Sequence, residues 1–107
     1  MTLQDDIRTI LQEADMQASI AAWHIESDTK VDVNGDSPFP MASTFKIPIL
    51  AKAFKLHSEG DLDLEARVPL NDEDKSRGSG ILPYFQSGVE PTVLDLLTLM
   101  IIISDNT

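Results

Sequence analysis

The chain contains no cysteine. That excludes a disulfide framework, a thiolate zinc site and a cysteine nucleophile. Positive charge is scarce: 8 Lys and Arg stand against 18 Asp and Glu, giving a formal net charge of −10 over 107 residues. A surface this acidic repels nucleic acid and anionic membrane, so neither is expected as a partner. Histidine is scarce too. His24 and His57 are isolated, and metal binding needs several converging ligands, so no metal or other cofactor is expected. Asp61, Asp63 and Glu65 alternate with leucines but lack the Gly and loop spacing of an EF-hand. They read as a solvated edge with Leu62 and Leu64 turned inward. Asp72-Glu73-Asp74-Lys75 reads as a charged surface loop.

Long apolar runs are also missing. The longest, Val93 to Ile103, is about half the ~20 residues that span a bilayer, and Asp95 and Thr98 interrupt it. The N-terminus carries Asp5 and Asp6 where a signal peptide carries bases, and no apolar stretch follows. As written, the chain is expected to be soluble, without a membrane span and not exported; removal of a signal would leave the same sequence. There are no internal repeats and no low-complexity segment.

What remains is globular in character, 42% hydrophobic and 24% charged. By length it is one domain or part of one. Thr2 with Asp5 forms a capping-box pair, and Leu3, Ile7, Ile10, Leu11 and Ala14 recur at helical spacing. A helix is predicted from 3 to about 15. Residues 19–25 and 30–33 read as a β-hairpin around Ser27-Asp28-Thr29, with Trp23 packed in the sheet. Asn34 to Pro38 ends it. Residues 43–58 predict the clearest long helix, with Ile47, Leu50, Ala51 and Phe54 on one face and Gly60 as its stop. Pro48 is a blemish there, worth up to ~3 kcal/mol in a helix interior and less in a loose first turn.

Residues 61–91 are loop-rich, with a short strand or turn at 67–70. Thr92 then caps a last helix with Asp95 in its first turn. This helix is apolar almost all round, so it must be surrounded by protein. Two amphipathic helices and one hairpin cannot jacket it and also cover the hairpin. The expectation is an incomplete chain, or one that folds with a partner supplying the missing layers.

Met41-Ala42-Ser43-Thr44-Phe45-Lys46 opens the second helix. Serine is a weak nucleophile until a base takes its proton. A lysine three residues on lies one turn away, within reach of the serine oxygen. The helix N-terminus favours an oxyanion nearby. By itself the pair also fits a helix cap and a solvated charge, and Ser27-Asp28-Thr29-Lys30 repeats the spacing in the hairpin turn. Ser104-Asp105-Asn106 follows the apolar helix. It fits either a C-terminal turn or a hydroxyl that relays a proton beside an amide that orients substrate.

Taken together, Ala42-Ser43-Thr44-Phe45-Lys46, then Gly78-Ser79-Gly80-Ile81-Leu82, then Thr92 through Ser104-Asp105-Asn106-Thr107 resemble the class A serine β-lactamases and related penicillin-binding enzymes, which carry S-x-x-K, S-D-N and K-T-G elements. The resemblance implies an α+β, DD-peptidase/transpeptidase-like fold, of which this chain is the N-terminal portion. Residues 1–40 would give the first helix and two strands of a five-stranded antiparallel sheet; residues 41–107 would give the nucleophile helix and the central buried helix.

It also implies roles. Ser43 matches the acylated nucleophile and Lys46 the lysine that helps activate it. Ser104 matches the hydroxyl that passes a proton to the leaving nitrogen, and Asn106 the amide that contacts substrate. The Ser43 N–H would be one half of an oxyanion hole. The substrate would be a β-lactam or a peptidoglycan-like peptide. The family's deacylating Glu and its Lys-Thr-Gly strand lie beyond Thr107, so activity would need a complementary C-terminal segment or chain. Family likeness implies a periplasmic or secreted protein if a signal was removed. The alternatives are a DD-peptidase or transpeptidase of the same superfamily, a truncated paralogue without turnover and, more remotely, a serine glutaminase.

Overall fold

A computed structural model describes residues 1–107. The chain divides into two units, Met1–Pro40 and Met41–Thr107. No helix is long and apolar enough to cross a membrane.

In the first unit, helix α1 (Leu3–Glu13) starts where its sequence dictates. The Asp5 N–H donates to Thr2 Oγ1 at 3.2 Å and the Thr2 N–H to Asp5 Oδ2 at 3.0 Å, satisfying two of the unpaired donors of the first turn. Strands β1 (Ile20–His24) and β2 (Thr29–Val33) pair antiparallel, with Ile20 opposite Val33 and Ala22 opposite Val31. α1 packs on β2. The period of two turns Val31 and Val33 inward, the two residues this unit buries.

Trp23 departs from expectation. Its place in the register puts it opposite Lys30, on the face away from Val31 and Val33, and it is 60% exposed. Its indole N–H donates to Asp28 Oδ1 at 2.9 Å, and the Lys30 ammonium sits 4.6 Å from the ring centroid. Such a cation–π contact at an exposed site contributes about 0.5–1 kcal/mol. This ties down the hairpin turn instead of filling a core.

In the second unit the helix that follows Ser43 begins differently from the even helix predicted over 43–58. Ala42–Phe45 is a 3₁₀ turn, and helix α2 proper runs Lys46–Glu59. Pro48 therefore stands third in α2, where its missing N–H would have had no intrahelical partner. Gly60 closes α2 at φ +83°, a left-handed conformation in which a side chain is strained. Helix α3 (Val93–Ile102) carries a second capping box, Thr92 with Asp95. α2 and α3 pack together, and Ala53, Leu64 and Leu97 form the core, flanked by Leu50, Leu62, Val93 and Met100. The linking segment is held by two isolated antiparallel bridges, Arg67 with Thr92 and Leu70 with Val89, where the sequence suggested a short strand. α3 is covered on the Leu97 side, whereas Leu94, Ile101, Ile102 and Ile103 stay exposed.

Candidate active site

All of the predicted site residues lie in the second unit, and the backbone is unusual where they sit. Ala42 has φ +47° and Ser104 φ +56°, left-handed values that cost a non-glycine residue about 1–3 kcal/mol each. The first sends the chain into the 3₁₀ turn that carries Ser43. The second turns it sharply off the end of α3, letting the Asp105 N–H return to the Leu99 carbonyl at 3.1 Å. In a 3₁₀ turn side chains three apart eclipse, so Ser43 and Lys46 leave the same side of the chain.

Lys46 is 4% exposed. Its ammonium donates to the Ser104 carbonyl at 2.6 Å, to Ser104 Oγ at 3.0 Å and to Asn106 Oδ1 at 2.8 Å. An ammonium has three donors, and each has an acceptor here. A buried charge is tolerable only when satisfied in this way. Ser104 Oγ donates to Ser43 Oγ at 2.9 Å. The sequence places Lys46 within direct reach of Ser43. In the structure the hydroxyl of Ser104 stands between them, bonded to both. Ser43, Lys46, Ser104 and Asn106 are thus brought into one connected network. The other Ser-x-x-Lys gives nothing comparable: the Ser27 hydroxyl bonds Thr29 Oγ1 at 2.7 Å and His24 Nδ1 at 2.8 Å, while Lys30 lies over Trp23.

Three residues that carry no role in the sequence reading complete the site. Asp105 is 2% exposed, yet no cation pairs with it. Its Oδ2 accepts from the N–H groups of Ile81 (2.7 Å) and Leu82 (2.9 Å), and Oδ1 from the N–H of Thr107 (2.9 Å). Burial pushes its pKa up. The N–H groups of Leu82, Thr107 and Ile81, with the Thr107 hydroxyl, outweigh burial and hold the carboxyl below its ordinary value. Gly80, at φ +117°, faces this carboxylate, and any Cβ there would overlap it. Gly78, at φ +112°, does the same for Asn106: a Cβ would lie 2.6 Å from Nδ2. All three stand inside segments that carry the family resemblance, Gly78–Leu82 and Ser104–Thr107, but no side-chain pattern there announces that the two segments touch.

No cluster of three or more acidic or histidine side chains is placed to hold a metal ion. The arrangement offers a hydroxyl nucleophile, a second hydroxyl hydrogen-bonded to it, and a buried cation that fixes the second hydroxyl. Such a set can move a proton away from an attacking oxygen.

Among solved structures, the chain superposes on PBP-A, in a variant seen as its acyl-enzyme complex with penicillin G, with TM-score 0.91 at 32% identity, covering 97% of this chain and 40% of that one. A β-lactamase from Sphaerobacter thermophilus gives TM-score 0.84 at 32% identity, covering 99% of this chain and 40% of that one. Among curated proteins, β-lactamase VEB-1 of Pseudomonas aeruginosa is 24% identical over 102 residues, which are 94% of this chain. The chain spans 34% of that relative's length. The fold is accordingly that of the β-lactamases and penicillin-binding proteins, over about two fifths of their length. The model of the β-lactamase enzyme family matches residues 2–107, and the chain belongs to that family.

Proposed function

We propose that this chain carries the acylation half of a serine β-lactamase-type hydrolase. The observation that carries the reading is the unbroken chain of hydrogen bonds from Ser43 Oγ through Ser104 Oγ to Lys46 Nζ and on to Asn106. In the proposed step Ser43 Oγ attacks the lactam carbonyl carbon, forming a C–O bond. Its proton passes to Ser104 Oγ as Ser104 gives its own to the lactam nitrogen, and the C–N bond breaks. Lys46 helps activate Ser43 by holding Ser104 in line and by placing a buried positive charge beside the developing alkoxide. Asn106 keeps Lys46 in place and offers its amide to the substrate. The product is an ester on Ser43.

Hydrolysis of that ester, and a second donor for the oxyanion, would come from a complementary segment or chain. The exposed Ile101–Ile103 end of α3 and the coverage of about two fifths of the relatives support this. These 107 residues alone are expected not to turn over a chromogenic cephalosporin.

A second reading, acyl transfer of the DD-peptidase kind, is favoured by one observation: the likeness to PBP-A, itself captured as a penicillin acyl-enzyme. Both readings share acylation of Ser43 and differ in the lifetime of the ester.

The test is intact-mass measurement after mixing with penicillin G. A covalent adduct is expected in the wild type and none in Ser43→Ala. On the chain completed by its complementary segment, an adduct lost within seconds to minutes identifies a β-lactamase, and one that persists for hours a penicillin-binding transferase. Absence of any adduct on a folded protein overturns both and leaves a non-catalytic paralogue.

A further inference from the structure

We infer that Arg77 is a substrate-binding residue, whose guanidinium pairs with a carboxylate carried on the acyl side chain of the β-lactam. The inference deepens the acylation reading and rests on the place that reading gives the substrate.

Cations are scarce in this chain and nearly all are engaged. Of the eight Lys and Arg side chains, only those of Lys52 and Arg77 make no hydrogen bond or ion pair. Arg77 is exposed, and Asp72, Glu73 and Asp74 stand three to five positions before it. Yet Asp72 goes to the Lys75 ammonium at 2.7 Å, and Asp74 takes the Asn71 N–H at 2.9 Å. The Arg77 guanidinium is left with five donors and no acceptor.

Its backbone stands at the site. The Arg77 carbonyl accepts from Asn106 Nδ2 at 3.3 Å, and Asn106 Oδ1 accepts from Lys46 at 2.8 Å. Through Lys46 and Ser104, four hydrogen bonds join the Arg77 carbonyl to Ser43 Oγ. The Asn106 amide nitrogen has two N–H groups. One goes to Arg77, and the other is free for substrate. Gly78 adds no side chain at this amide, where a Cβ would lie 2.6 Å from Nδ2. Within Arg77–Gly80 the guanidinium is the only charge.

The direction of the lactam bond assigns the carboxylate. Ser104 Oγ delivers its proton to the lactam nitrogen, so that nitrogen and the ring acid beside it lie toward Ser104. The acyl side chain, on the other side of the carbonyl, falls to Asn106 and so to Arg77. A guanidinium holds a carboxylate by two parallel N–H···O bonds. A chain of net charge −10 repels an anionic substrate, and a free cation beside the site reverses that field locally.

Penicillin G and its α-carboxy derivative, carbenicillin, differ by one carboxylate on the acyl side chain and are the probes. Acylation of Ser43 by each is followed by intact mass. Arg77→Gln is expected to lower the rate with carbenicillin relative to penicillin G by about tenfold, in the half-saturating concentration and not in the limiting rate. The variant keeps the backbone carbonyl, so Asn106 keeps its partner. Lys52→Gln removes the same charge from the exposed side of α2 and is expected to leave the ratio unchanged. An unchanged ratio in Arg77→Gln overturns the inference, and so does an equal loss in Lys52→Gln, which would reduce the effect to net charge. Nitrogen-15 NMR of Ser43→Ala, which forms no ester, gives a readout independent of acylation. There carbenicillin is expected to move the Arg77 Nε–H signal and penicillin G to leave it in place; a signal that neither moves overturns the inference. A wild type that forms no adduct sinks the acylation reading, while the NMR titration still decides whether Arg77 binds the carboxylate.

Discussion

The two units build order by different means. In Met1–Pro40 two valines are buried, and most side-chain hydrogen bonds close within five residues: Thr2 with Asp5, Trp23 with Asp28, Asp32 with Gly35. In Met41–Thr107 a lysine and an aspartate are buried, and all but one of the bonds that satisfy them reach 23 to 60 residues along the chain. Local bonds at an exposed turn are each replaceable by water. Long-range bonds to a buried charge are not, since a donor or acceptor left behind has no substitute. The difference predicts where substitution is tolerated.

The two units differ most at their lysines, each the fourth residue of a Ser-x-x-Lys. Lys46→Ala strips donors from Asn106 Oδ1, Ser104 Oγ and the Ser104 carbonyl at once. Acylation of Ser43 is expected to fall by about 10²–10⁴-fold, and the protein to lose about 3 kcal/mol or more of stability. Lys30→Ala removes an exposed cation–π contact and a loose pair with Asp28. It is expected to cost about 1 kcal/mol at most and to leave acylation unchanged. Adduct rates by mass spectrometry and urea midpoints check both. Equal losses in the two variants would end the distinction between the units.

Asp105 gives the next largest effect. Asp105→Ala leaves the Ile81, Leu82 and Thr107 N–H groups without their acceptor, at about 1–3 kcal/mol for each that stays buried. Because the folded carboxyl titrates below the usual 3.8, ionised Asp105 favours the native state. That contribution is fully present above the unfolded value. It is lost as pH falls from about 4 through the lower folded value. Urea midpoints between pH 6 and pH 3 are expected to fall more steeply in the wild type than in Asp105→Asn. Asp5 and Asp95 are lowered by their Thr caps in the same sense, and both are present in either protein, so they cancel from the difference.

These contrasts explain what the sequence could and could not reveal. Both capping boxes, the hairpin and the Gly60 stop are set by residues within a few positions of one another, and each is where the sequence places it. Ser43, Lys46, Ser104 and Asn106 were legible as two local patterns, and their order along the chain carried the family resemblance. The Ser104 hydroxyl standing between Ser43 and Lys46 was not legible. It depends on how α3 packs beside α2 and on a left-handed residue at 104 that composition does not announce. Asp105 was hidden for a related reason: its partners are backbone N–H groups, which every residue possesses, so no side chain marks them. Trp23 was misplaced because an aromatic in a strand has two faces to choose from, and the register alone decides between them.

Each unit also has one helix with a capping box. Thr92→Ala and Thr2→Ala remove the same side-chain acceptor from the first turn of α3 and of α1. Each is expected to cost about 1 kcal/mol. The consequences differ. α3 leads directly into Ser104, so Thr92→Ala should also lower the acylation rate by a small factor. Thr2→Ala should leave that rate alone. Thermal melts and adduct rates measured on the same samples decide it.

Pro48 provides the smallest effect and the finest test. In a helix running evenly through 43–58 it would be an interior proline, and replacing it with alanine would restore a hydrogen bond and relieve a clash worth about 3 kcal/mol. In the structure α2 starts at Lys46 after a 3₁₀ turn, and Pro48 occupies a first-turn position whose N–H would have had no intrahelical acceptor. Pro48→Ala is therefore expected to change stability by about 0.5 kcal/mol or less. Its fixed φ also restrains the unfolded chain, which works against any gain from alanine. The 3₁₀ turn keeps Ser43 and Lys46 eclipsed, and an alanine would let the α-helix extend backward through Phe45 and rotate Ser43 away from Ser104. A slower acylation in Pro48→Ala at unchanged stability would show that the proline guards the turn. A gain of several kcal/mol would show instead that the helix wants to run through, against the geometry that joins Ser43 to the buried lysine.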